Sequence, residues 1–211
     1  MAFHPIDFAT WPRREHFTAY QQTGPCTFCM TVQLDVQAVR ARAEATGTRF
    51  FPLLLHGLAQ TVNAFREFRM GRDAAGTLGF YDVAHPSYTV FHPQTETFSA
   101  LWTEYDPDWA VFCRRYEQDR ADYGGRLEMN PKPAPENIFH VSCIPWASFT
   151  SFSLDLQNGF ACYQPIFTIG RFVQQGEQLL LPLALQVHHA VCDGYHAAQF
   201  VNALQAWAAQ C

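Results

Sequence analysis

Two adjacent histidines, His188 and His189, close an apolar run (LLLPLALQV, residues 179–187), and Asp193 and Gly194 follow in a short turn. Imidazole titrates near neutral pH. Set at the end of a rigid strand, it has the fixed geometry that taking and returning a proton requires. Neighbouring side chains of a strand point to opposite faces, so the pair does not share one ligand: one histidine should face the core and the other a cleft. Asp193 places a carboxylate in the same turn. A metal centre is the weaker reading. His85, His92 and His140 add donors without ligand spacing, and the single Cys26-x-x-Cys29 has no second pair. A hydrolase dyad would want a nucleophile on a sharp elbow, and no Gly-x-Ser-x-Gly occurs.

The elements that must position these residues follow from periodicity. Cys26–Leu34 alternates as a strand, and Asp35 is placed to cap a helix running to about Ala45, with Gly47 at its end. Pro52 opens a helix whose stripe is Leu54, Leu55, Leu58, Val62 and Phe65. Short strands are expected at Leu78–Tyr81 and on either side of Pro93 within Tyr88–Leu101. Asp106-Pro107-Asp108 opens a helix that ends at Gly124-Gly125, and Asn130–Pro135 is a surface loop. Strands follow at Ile138–Ile144, Ala147–Ser153, Ile166–Gln174 and Glu177–His188, the last two joined by a turn at Gln175-Gly176. A final helix carries Ala197, Phe200, Val201, Leu204 and Ala208 on one stripe, and the segment Trp11–Tyr20 allows a short helix. The expected architecture is one α/β domain over residues 1–211 with a mixed sheet.

Composition bounds the rest. The chain has 211 residues, 48% of them hydrophobic and 16% charged, which is enough apolar material for a substantial core. A formal charge of −5 gives no basic footprint and argues against nucleic acid as a partner. No apolar run approaches the ~20 residues of a membrane span, and the first residues lack a signal-peptide pattern. Seven cysteines without paired spacing read as buried thiols of a reducing cytoplasm.

The run QVHHAVCDGYH (186–196) resembles the HHxxxDG signature of chloramphenicol acetyltransferases, and WPRREHF, RFFPLLLHGLAQTVN, EFRM, YTVFHPQTETFSALW and PENIFHVSCIPWASFTSF are similar to further stretches of that family in the same order. The resemblance spans about Asp7 to Trp207. It implies a two-layer sandwich of the CoA-dependent acyltransferase type, with acetyl-CoA as co-substrate, no bound cofactor and no metal. The implied reaction moves an acetyl group from acetyl-CoA to the 3-hydroxyl of chloramphenicol. His189 matches the general base, Ser142 the donor to the oxyanion, and Thr168 a threonine that holds a water near the intermediate. Asp193 and Arg13 match an ion pair that braces the active-site turn, which leaves His188 structural.

By the same resemblance, Tyr20, Thr89, Phe91, Phe98, Phe152 and Leu154 line the acceptor pocket. Trp146 and Phe172 flank the pantetheine or adenine of CoA, and Arg49 and Arg171 meet its phosphates where the family often has lysine. Ala19 and Met129 stand where aromatic residues are common, and Tyr195 stands where phenylalanine is usual, so the exact acceptor preference is open. The family implies a cytoplasmic homotrimer with active sites between subunits. Two other readings stand beside it: an O-acyltransferase with another hydroxyl acceptor, and a trimeric drug-binding protein without turnover.

Overall fold

The computed structural model describes residues 2–155 and 162–211. Its spine is the apolar run that ends in the histidine pair. That run is an 11-residue strand, β10 (Gln178–His188), held on both edges as befits a segment apolar on both faces. On one side β10 pairs antiparallel with β2 (Thr27–Asp35), in register from Leu180 opposite Asp35 to His188 opposite Thr27. On the other it pairs antiparallel with β8 (Ile166–Gly170). β8 runs parallel to β7 (Ile138–Ile144), β7 runs parallel to β5 (His85–His92), and β5 pairs antiparallel with β6 (Thr97–Trp102). With the short β9 (Val173–Gln175) beside β10, this makes a mixed seven-stranded sheet in the order β2-β10-β8-β7-β5-β6. A second sheet joins three short strands, β1 (Phe3–Pro5), β4 (Leu78–Tyr81) and β3 (Met70–Arg72).

Helices α2 (Gln37–Thr46), α3 (Phe50–Ala64), α4 (Trp109–Tyr123) and α5 (Gly194–Ala209) form the second layer. Leu183, Leu185 and Val187 of β10, Phe167 of β8 and Phe139 of β7 lie in one buried cluster with Leu55, Leu58, Phe200 and Leu204 of the helices. The Phe167 and Phe200 rings stack at 5.3 Å. α3 and α5 meet closely at Gly57, where a Cβ would overlap the Trp207 ring, so only glycine lets the helices approach this far. The alternate residues of the strands, Thr31, Ala184, Gln186, Thr168 and Ser142, occupy the opposite face of the sheet.

Departures from the sequence reading have local causes. Residues 147–153 form no strand. Their backbone polar groups are met by side chains of the sheet instead: Gln33 Nε2 donates to Phe149 O (3.2 Å), Phe152 N donates to Thr31 Oγ1 (3.3 Å) and Cys29 Sγ donates to Phe152 O (2.8 Å). The strand expected over Ile166–Gln174 breaks at Arg171-Phe172. Register shifts there, because four steps from Ile169 to Val173 face three from Leu183 to Leu180; this bulge sits at Pro182, which has no N–H to give the ladder. The helix start expected at Asp35 lies one residue on, at Val36, while Asp35 Oδ1 still accepts from Gln37 N at 3.1 Å. Asp108 caps α4, accepting from Ala110 N and Val111 N, so Pro107 precedes the cap and does not sit in the first turn. α1 (Arg14–Thr18) is the short helix expected near Trp11–Tyr20, and it continues into a π-helical turn over Ala19–Thr23.

Candidate active site

The end of β10 presents its two histidines differently. His188 is 1% exposed; its Nδ1 accepts from Ala190 N at 3.1 Å, and its ring meets Tyr163 edge-on. His189 is half-buried and stacked, with the Tyr20 ring 3.9 Å away and tilted by only 17°, while Phe28 meets it edge-on at 5.3 Å. Its backbone N–H donates to Cys26 O at 3.0 Å, which ties the turn to the start of β2. Nδ1 stands 3.2 Å from Cys192 O. A carbonyl can only accept, so this contact selects the tautomer with the proton on Nδ1 and leaves Nε2 bare as a base. The thiol in the same turn does not compete: burial pushes Cys192 up to about 12, so it is not a thiolate near neutral pH.

The turn that follows is held by one guanidinium. Arg13 Nη2 donates to His189 O (2.7 Å), Nε to Ala190 O (2.9 Å) and Nη1 to Asp193 Oδ2 (2.6 Å). Both partners are largely shielded, with side-chain exposures of 13% for Arg13 and 32% for Asp193. Burial alone would raise the Asp193 pKa, but the hydrogen bond and charge of Arg13, with His196, outweigh it and hold the carboxyl below its ordinary range. Asp193 is therefore a brace at this turn, and no hydrogen bond joins it to the His189 ring among the described residues. The His189 imidazole is oriented by a backbone carbonyl and by aromatic faces.

Ser142 lies elsewhere on the sheet. It is opposite Thr168, which is opposite Ala184, which is opposite Thr31, so the four share one row and one face. Ala184 is five residues before His189, which places the base roughly 17 Å along the strand and roughly 10 Å across it from Ser142. One chain does not bring His189 and Ser142 together.

Around Ser142 the surface is open and aromatic. Phe91 and Phe98 face each other across β5 and β6, 43% and 47% exposed, and Trp146, 59% exposed, meets Phe91 edge-on at 4.7 Å. Thr89, Phe91, Cys143, Tyr116, Arg120 and Trp146 line a cavity of about 250 Å³ beside them. Phe152 lies over Thr31, and Leu154 exchanges two hydrogen bonds with the Gln186 side chain. Phe172 touches Phe50 edge-on at 5.9 Å, next to Arg49, and the bulge at Pro182 turns both Arg171 and Phe172 outward. Arg49 is engaged by Glu117 through both oxygens, so a phosphate reaching it would share or displace that carboxylate. The predicted residues thus fall into four groups: His189 with Tyr20, Arg13 and Asp193; Ser142 and Thr168 with Thr89, Phe91, Phe98 and Trp146; Phe152 and Leu154 over β2 and β10; and Phe172 with Arg171 at the bulge, beside the α3 start that carries Arg49.

Sequence reasoning missed Phe28 and the Cys192 carbonyl. Pairing of β2 with β10 is the signal that would have placed Phe28 beside the histidines, since its register partner is Val187. It also passed over His196, whose ring lies 2.8 Å from the Asp193 carboxylate, and Glu67.

Comparison with known proteins bears on this arrangement. A family profile for chloramphenicol acetyltransferase matches residues 1–205. A Clostridium perfringens chloramphenicol acetyltransferase is 47% identical over 206 residues, 97% of this chain and 98% of that one. An Escherichia coli chloramphenicol acetyltransferase is 48% identical over 200 residues, 95% of this chain and 91% of that one. Among solved structures, a chloramphenicol acetyltransferase superposes with a TM-score of 0.85 at 21% identity, covering 98% of this chain and 99% of the other. The dihydrolipoamide acetyltransferase of Azotobacter vinelandii has the same fold, with a TM-score of 0.64 at 18% identity, covering 99% of this chain and 97% of that one.

Proposed function

The chain belongs to the chloramphenicol acetyltransferase family, and on that premise we propose that it inactivates chloramphenicol by moving the acetyl group of acetyl-CoA to the drug's 3-hydroxyl. It is an acyltransferase that works as one domain over residues 1–211. The observation that carries the mechanism is the His189 ring, with Nδ1 against the Cys192 carbonyl and its face against Tyr20.

An alcohol attacks a thioester slowly at neutral pH because its proton leaves with difficulty. His189 Nε2 takes that proton as the oxygen–carbon bond forms, and the charge on the imidazolium is met by the Cys192 carbonyl at Nδ1. The oxyanion of the tetrahedral intermediate is stabilised by the Ser142 hydroxyl, with Thr168 beside it in the same row holding a water. Collapse breaks the carbon–sulfur bond, and His189 returns its proton to the departing CoA thiolate. No acyl-enzyme forms, and the enzyme ends in its starting protonation state.

Because the sheet holds His189 and Ser142 roughly 20 Å apart in one chain, we assign the working site to the interface between copies. A closed trimer gives three such sites, each pairing the His189 end of one copy with the Ser142 face of the next. Phe91, Phe98, Thr89, Phe152, Leu154 and Tyr20 then enclose the acceptor, while Trp146, Phe172, Arg49 and Arg171 hold CoA. Their exposure in a single chain supports this reading. Among the described residues no helix is long and apolar enough to cross a membrane. A cytoplasmic location is supported by the supply of acetyl-CoA there.

The test is release of free CoA thiol from acetyl-CoA with and without chloramphenicol, corrected for the protein's own 7 cysteines. Chloramphenicol-dependent release at catalytic turnover is expected. Release driven by another hydroxyl compound at a far higher rate would move the acceptor assignment, and no release by folded protein would reduce the chain to a binding protein.

A further inference from the structure

The brace on the catalytic turn does not stop at Asp193. His196, in the first turn of α5, sets Nδ1 2.8 Å from Asp193 Oδ1, and its Nε2 lies 4.0 Å from Glu67 Oε1. Glu67 comes from the turn Arg66–Arg69 between α3 and β3, which is remote in sequence from both ends of the site. Asp193 Oδ1 is buried and makes no hydrogen bond of ordinary geometry among the described residues, although Asp193 and His196 form a capping box in which the carboxylate faces the His196 backbone N–H. His196 Nδ1 can take the Asp193 N–H, 3.3 Å away, only when it is bare. A proton on Nδ1 instead gives the carboxylate oxygen the partner it lacks, and burial makes that oxygen costly to leave unpaired. Glu67 faces the second ring nitrogen, at 4.0 Å. A cavity of about 290 Å³, lined by Arg13, Arg66, Glu67, Asp193, His196 and His16, lies against this chain of contacts.

We propose that His196 and Glu67 are positioning residues for acetyl transfer. They hold Asp193, which holds Arg13, which holds the carbonyls of His189 and Ala190. The charges along this path are carboxylate, imidazole, carboxylate and guanidinium, and each link restrains the next. The proposal rests on His189 being the base; neither His196 nor Glu67 touches substrate.

A double-mutant cycle tests it. His196→Gln should lower kcat roughly tenfold and leave both KM values unchanged, because the base is misplaced while the pockets are intact. His196→Asn, whose side-chain amide can take the place of Nδ1, should restore most of the rate. The double variant Asp193→Asn/His196→Gln should be no slower than Asp193→Asn alone, and Glu67→Gln should have no effect in the His196→Gln background. Multiplying effects, or wild-type kcat in folded His196→Gln, would overturn the proposal, as would a lower melting temperature with unchanged kcat. The rate at which diethyl pyrocarbonate modifies His189, followed by mass spectrometry, reads the same cycle without turnover: non-additive changes support the proposal and additive or absent changes overturn it. If the wild type shows no chloramphenicol-dependent turnover while this modification cycle is non-additive, the assignment of function fails and the network stands.

Discussion

The two ends of the proposed chemistry are built differently. The His189 turn is finished within one chain, with its ring clamped between Tyr20 and Phe28, its carbonyl held by Arg13 and its neighbours buried. The Ser142 face is left open, with Phe91, Phe98 and Trp146 uncovered. A base must hold its tautomer and direction, and local hydrogen bonds do that best. A substrate pocket must admit two molecules, and a surface closed by a neighbouring copy does that best. The contrast teaches that the rigid half of the proposed site is encoded by one sheet end, while the open half is the one the proposed interface between copies would enclose.

His189→Ala attacks the rigid half directly and should cost about 10³-fold or more in kcat while the oligomer survives sizing chromatography; activity within tenfold of wild type would put the base elsewhere. Ser142→Ala attacks the open half, with about 10²–10³-fold lost in kcat and little change in melting temperature. Co-expressing these two inactive variants separates the halves outright. If each site joins His189 of one copy to Ser142 of the next, every mixed trimer keeps one intact site, and random mixing should recover about a quarter of wild-type activity. No recovery in purified mixed oligomers would mean that both residues act within one chain.

Asp193→Asn tests the brace more gently, lowering kcat and the melting temperature together. Its sign with pH follows from the depressed folded-state pKa: the ion pair's stabilisation is full above the ordinary value of 3.8 and is lost as pH falls through the lower folded value. The gap in melting temperature between wild type and variant should therefore be constant near neutrality and close in that acid window. Gly57→Ala, far from either half, should cost about 1–3 kcal/mol of stability through overlap with Trp207 and leave kcat per folded molecule unchanged.

Much of the architecture is legible in the chain because pattern and fold agree locally. Ile138–Ile144 and Leu78–Tyr81 are strands with the boundaries their residues suggest, since turn-forming neighbours bound them. Residues 147–153 misled because a short run of Phe, Thr and Ser looks the same whether the backbone finds a ladder or, as here, the side chains of Gln33 and Thr31. The break at Arg171 escaped notice because a bulge is a property of two strands in register, not of one. For the site, the strand-end histidine was readable from apolar patterning. The pairing of Arg13 with Asp193 was not: no spacing rule joins residues 180 positions apart, and only resemblance to a family suggested it. The link from His196 to Glu67 is hidden for the same reason.

Arg13 also sets a schedule for the chain as it is made. Its guanidinium needs acceptors at His189, Ala190 and Asp193, between 176 and 180 residues downstream. β2 waits likewise for β10, its hydrogen-bonded neighbour in the sheet. Until residues 178–193 have left the ribosome, Arg13 has no acceptors to grip and the edge of β2 that β10 covers lies unpaired. Closing so long a loop is slow, and the uncovered strand is exposed to aggregation in the meantime. The same arrangement means that a product terminated before β10 carries Arg13 with none of its acceptors: His189, Asp193 and the strand that delivers them arrive together.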